Sequence, residues 1–132
     1  MPSSNDIQEQ DLVIGYRDDE PCQVTLTNED GSVRDITGNT YEMHISNQRF
    51  PATETPNPPT LIFWIVAPAL VTPTSGIISF APSAANYDDI PLAEFNTNGK
   101  FRMHFDIIEL DTTRRTVLRG KLDVQRVVRT VV

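Results

Sequence analysis

Alternation of apolar and polar residues recurs along the chain in short stretches separated by turn residues. Cys22, Val24 and Leu26 alternate with Gln23, Thr25 and Thr27, and Tyr41, Met43 and Ile45 alternate with Glu42, His44 and Ser46. A period of two is that of a strand with one buried face. Phe101, Met103, Phe105 and Ile107 repeat it against Lys100, Arg102, His104 and Asp106. The pair Ile107-Ile108 slips the parity, which predicts a bulge or twist there. Leu118, Gly120, Leu122 and Val124 form one face of a last strand, and Arg119, Lys121, Asp123 and Gln125 form the other. Asp11 to Tyr16 and Gly76 to Phe80 read as further short strands.

One stretch breaks the pattern. Leu61 to Val66 is apolar on both parities, so this strand is covered on both faces or offers one to a partner. The apolar run extends to Val71 but is broken by Pro68, and Pro68 and Pro73 predict a connecting loop. Turns are expected at Glu29-Asp30-Gly31-Ser32, at Asp35 to Asn39, at Asn98-Gly99, and as a hairpin loop over Asp111 to Arg115. Asn47 to Thr60 carries Pro51, Pro56, Pro58 and Pro59 and reads as a stiffened loop. The one helix expected lies within Ala81 to Ala93, with Ser83 as N-cap and Pro91 limiting it to one or two turns.

About seven to eight short strands with one short helix predict a mainly β fold, an antiparallel immunoglobulin-like β-sandwich. The paired cysteines of antibody domains are absent, since Cys22 is the single cysteine, and the chain needs no oxidising compartment. With 132 residues, a flexible arm over 1–10 and a single domain over 11–132 are expected. The polar start, Met1 to Gln10, does not read as a secretory signal, and no apolar run is long enough for a membrane helix. The formal charge of −7 disfavours nucleic acid as a partner. That charge is uneven: residues 1–99 carry net −11 and residues 100–132 carry net +4. Either a basic terminal hairpin packs beside acidic strands in one fold, or opposite faces meet between copies. For contacts between copies, Arg114, Arg115 and Arg119 are the candidate donors. Asp18, Asp19 and Glu20, with Asp88-Asp89, are the candidate acceptors.

Candidate chemistry is sparse. His44 and His104 fall on polar parities without a nucleophile motif or a third metal ligand nearby. The acidic clusters at Asp18-Asp19-Glu20 and Asp88-Asp89 lack the spacing of a calcium loop. No catalytic residue, cofactor or metal ligand is assigned. Most aromatic residues read as core, while Phe63 and Trp64 are candidate interface residues because their strand is apolar on both sides. One of the two is expected to be buried only in an assembly.

The ordered set of three segments carries a resemblance. "DLVIGYRDDEPCQVTLTNEDG" (Asp11 to Gly31), "RDITGNTYEMHIS" (Arg34 to Ser46) and "GKFRMHFDIIELDTTRRTVLRGKLDV" (Gly99 to Val124) together resemble the N-terminal domain of the phage baseplate upper protein family and related phage tail and fibre-attachment domains. The likeness spans about 11–126, and the Pro-rich stretch at 50–60 has no counterpart in it. The resemblance implies a non-enzymatic virion structural protein at the tail, baseplate or fibre-attachment region. It would be made in the bacterial host cytoplasm and act through contacts with other virion proteins and as a homo-oligomer, with no membrane partner. A capsid decoration (cement) protein is the alternative place in the particle. A host carbohydrate-binding module, with Trp64, Tyr41 or Tyr87 as stacking platforms, is the alternative of another class. A small hydrolase has the least support.

Overall fold

The computed structural model describes residues 8–17, 20–47, 62–111 and 113–126. Nine strands occur among them: β1 (Gln8–Glu9), β2 (Leu12–Gly15), β3 (Cys22–Thr25), β4 (Tyr41–Ser46), β5 (Phe63–Val66), β6 (Ala69–Thr72), β7 (Ile77–Phe80), β8 (Lys100–Leu110) and β9 (Arg114–Gln125). One sheet has the order β1-β9-β8-β4-β5, with β2 also on β9, and the other has the order β3-β7-β6. The fold is mainly β, mostly antiparallel, and its two sheets are consistent with a β-sandwich.

The alternating residues supply the core. Val24, Met43, Ile45, Ile78, Met103, Phe105, Ile107, Leu122 and Val124 are buried together, with Trp64 among them. Each such side chain contributes about 1.5–3 kcal/mol on leaving water. An irregularity does occur there, since the β8–β9 register shifts between Ile107 and Ile108, but the extra residue is Val117 on β9, and β8 keeps its parity by pairing regularly with β4 through Glu109. The Asp-Gly turn forms as expected, with Gly31 at φ 86 and Asp30 Oδ1 accepting from Ser32 N at 3.0 Å. The helix α1 (Ala84–Asp88) is capped by Ser83, whose Oγ accepts from Asn86 N, while the Asn86 side chain accepts from Ser83 N. This reciprocal pairing satisfies amide donors that a one-turn helix leaves open.

Four expectations need correction. Residues 8–10, placed in the flexible arm, belong to the sheet: β1 pairs with β9, and Gln10 N donates to Arg119 O at 3.0 Å. The pairing of β1 and β2 with β9 is parallel, because the chain leaves this edge and crosses to the other sheet at β3 rather than turning back. The stretch between Pro68 and Pro73 contains β6, since both prolines lie outside the strand and leave its ladder to β7 intact. Arg114 and Arg115 begin β9 rather than sit in the hairpin loop, as their partners Leu110 and Glu109 extend the ladder. The Pro-rich segment from 48 to 60 lies outside the described residues.

Where β1 passes into β2, the edge presses on β9. A Cβ on Gly120 would lie 1.9 Å from Gln10 O and 3.2 Å from the Phe105 ring. The first contact is with backbone, so it cannot be relieved by a side-chain rotation. Gly120→Ala is therefore expected to cost about 1–3 kcal/mol or more. In hydrogen exchange, the amides of Gln10 and Tyr16, which donate to β9, should lose protection first. Unchanged protection at both amides would contradict this account of the glycine.

Candidate functional site

The outward face of the larger sheet carries His44, His104, Arg114 and Arg119 of the polar residues singled out from the sequence. The register places Ile65, His44, Asp106 and Arg119 side by side across β5, β4, β8 and β9. His44 Nε2 lies 2.5 Å from Glu42 Oε1, which also accepts from Arg114 at 3.0 Å. His44, first, and Arg114 hold the Glu42 carboxyl below its ordinary range. Arg119 reaches Asp106 at 3.4 Å, and Arg102 pairs with Asp123. Arg115 stands 3.7 Å from Glu109. Three of these pairs lie within the basic terminal hairpin itself, and only Arg114–Glu42 joins it to an acidic residue of the first 99, so the pairs do not choose between the two alternatives for the charge split. Asp18 and Asp19 lie outside the described residues, and Glu20 is exposed. Asp88 pairs with Arg17, and Asp89 accepts from the indole N–H of Trp64 at 3.1 Å.

The strand that was apolar on both parities resolves by residue. Trp64 is 2% exposed, whereas Phe63 is 43% and Ile65 61% exposed. Trp64 is corrected from interface or sugar platform to core residue: among the described residues β5 pairs with β4 alone, and Trp64 is buried in the core with Tyr87 6.0 Å away edge-on. Tyr41 and Tyr87 are buried as well and offer no stacking surface. Phe63 remains on the outer face, edge-on to the His44 ring at 5.4 Å. In the other sheet, Leu70 and Val71 of β6 are exposed as well.

A second constellation was missed. Glu109 is buried at 4% exposure and accepts from Arg34 at 2.5 Å and from the Tyr41 hydroxyl at 2.7 Å. Asn39 Nδ2 adds a longer bond at 3.4 Å. These contacts fasten the loop between β3 and β4 to the end of β8. Beside them opens a groove of 690 Å³ lined by Gln8, Asn28, Asp30, Arg34 and Arg115 among others. Its rim is held by Gln8, whose amide donates to Thr27 O at 3.1 Å and accepts from Thr27 Oγ1. A signal for Glu109 was present, since it continues the inward parity of Phe101, Met103, Phe105 and Ile107. A carboxylate on an apolar parity requires a buried partner. That partner, Arg34, stands in a loop whose position the sequence does not reveal.

Burial pushes the Tyr41 phenol up to about 12; the Asn39 amide opposes this, and the Glu109 carboxylate adds to it. A raised folded value means that the folded state holds the proton more tightly. Its contribution is complete below the ordinary value of 10.0 and is lost as pH rises toward about 12. Stability measured by urea melts should fall across that window, and Tyr41→Phe should remove this part of the slope. An unchanged slope in Tyr41→Phe would exclude Tyr41 as its source.

Among the described residues, no group of three or more His, Cys, Asp or Glu side chains could hold a metal ion. Cys22 is half-buried, which pushes its thiol up and away from the reactive thiolate. No protein-family model matches the chain, and no curated protein matches it.

Proposed function

We propose that this chain is a non-enzymatic structural module of a bacteriophage virion, acting through protein–protein contacts at the tail, baseplate or fibre-attachment region. The observation that carries the contact role is the edge strand β5, where Phe63 and Ile65, two residues apart on one face, are exposed apolar side chains. Contiguous apolar surface of this kind marks interaction sites. The polar face beside it carries the cross-strand ion pairs Arg114–Glu42 and Arg119–Asp106, an arrangement suited to a rigid surface rather than to proton transfer. The phage assignment rests on the three-segment resemblance.

The finer fold assignment is an immunoglobulin-like sandwich. In its support, β9-β8-β4-β5 against β3-β7-β6 follows the strand order of an immunoglobulin domain with an added edge strand. The burial of Trp64, Tyr41 and Tyr87 disfavours the carbohydrate-binding alternative.

The experiment is localisation of the labelled chain in intact particles, with a glycan array run on the purified protein. Density at the tail, baseplate or fibre attachment supports the proposal, while density on the capsid moves the chain to the cement role. Absence from particles together with saturable glycan binding would overturn it.

A further inference from the structure

We infer that β5 is a self-pairing edge, and that two copies of this chain join their larger sheets by antiparallel β5–β5 pairing about a two-fold axis at Trp64. This inference rests on the contact role proposed above and names the partner for that edge. Its first support is the direction of the backbone groups. Asn47 N donates to Ile62 O at 3.2 Å, and Ile62 N donates back to Asn47 Oδ1 at 3.0 Å. With β5 registered as Ile45 opposite Trp64 and Met43 opposite Val66, residues 62, 64 and 66 turn their backbone toward β4. The alternation of antiparallel pairs then leaves the N–H and C=O of Phe63 and Ile65 on the outer edge.

The second support is the pleat. Opposed residues in an antiparallel pair share a face, and a one-residue slip would set outward side chains against inward ones. The register that places Phe63 of one copy opposite Ile65 of the other keeps both outward. The same register makes this couple a hydrogen-bonded pair, repeated by the two-fold. An aromatic residue opposite a β-branched one is a favourable cross-strand pair. The exposed side chains and the exposed backbone groups are thus satisfied by one register.

The third support is charge. No Asp, Glu, Lys or Arg occurs from Ile62 to Tyr87, in a chain of net charge −7. A charged partner finds nothing to match along β5, while two copies meet here without opposing like charges. The other edges differ. The β1–β2 edge is interrupted and carries Glu9 and Asp11, and β6 has a register irregularity between Leu70 and Thr72. The β3 edge presents Gln23 and Thr25. Charges and bulges are devices that block edge pairing, and β5 carries neither.

The test uses the full chain in sedimentation velocity over a concentration series. The expected result is a monomer–dimer equilibrium in which Ile65→Lys raises the dissociation constant at least about tenfold, because symmetry places the charge at both ends of the pairing. Ile65 is largely solvent-exposed, so circular dichroism should show the variant folded. Val13→Lys, an exposed change on β2 at the opposite edge of the same sheet, should leave the dimer unchanged. Register is read by cross-linking in a Cys22→Ser background. Phe63→Cys combined with Ile65→Cys should give an oxidised dimer, since Cα atoms about 5.5 Å apart suit a disulfide. Neither cysteine alone should do so. A chain that stays monomeric at all concentrations, a dimer indifferent to Ile65→Lys, or equal cross-linking by the single variants would each overturn the inference. A monomer that still enters particles would overturn β5 pairing while leaving the structural role standing. A dimer sensitive to Ile65→Lys but absent from particles would do the reverse.

Discussion

Glu109→Ala is expected to destabilise the fold by about 3–5 kcal/mol, the cost of breaking a buried pair from one side. Its carboxylate receives Arg34, Tyr41 and Asn39, so the substitution strands a largely buried guanidinium and a buried hydroxyl at once. Glu109→Gln should fall between wild type and alanine, since its amide oxygen still accepts but the charge that compensates Arg34 is gone. Arg115 cannot replace the loss, because it is itself a cation beside the site. Against a total stability of about 5–15 kcal/mol, the alanine variant should unfold at markedly lower urea. Protection of the Ile36 amide, which donates to Pro73 O, should fall with it, since the loop between β3 and β4 loses its anchor. A loss of about 0.5 kcal/mol or less would mean that Glu109 is solvated and that the loop is held by Ile36 alone.

The two halves of this constellation show what a sequence can and cannot convey. Strand positions are written in local alternation, and β4, β8 and β9 follow it closely because one face of each is core. The capped helix was equally local, since Ser83, Asn86 and Pro91 act within a few residues of one another. Glu109 and Arg34 are 75 positions apart, and only the tertiary fold makes them neighbours. The parallel docking of β1 and β2 on β9 is likewise a long-range choice with no local signature. Strand β6 was hidden for another reason. Its four residues are all exposed, so no burial period is imposed on them, and the flanking prolines read as loop. The edge itself was half legible. A strand apolar on both parities announces two covered faces, but which face the chain covers depends on where the second sheet lies.

That division gives the second large effect, with opposite outcomes at adjacent positions. Trp64→Ala should cost about 3–5 kcal/mol in the isolated chain, as expected for removal of a buried aromatic. The indole fills the space between the sheets, donates to Asp89, and starts an edge-on series of rings running through Tyr87 and Tyr16 to Phe95. Its loss should loosen α1 and the start of the β8 segment together. Trp64→Phe keeps most of the ring contact and gives up the hydrogen bond, so its cost should be clearly smaller. Phe63→Ala, one residue earlier, should change monomer stability by about 0.5 kcal/mol or less, because Phe63 stands outside the core. Its effect should be on association instead. Trp64 is the single tryptophan, so these variants are compared by far-ultraviolet circular dichroism in urea rather than by indole fluorescence. Equal costs at the two positions would mean that β5 is covered on both faces within one chain. A stable Trp64→Ala monomer that fails to associate would return Trp64 to the interface and displace Phe63 and Ile65 from it.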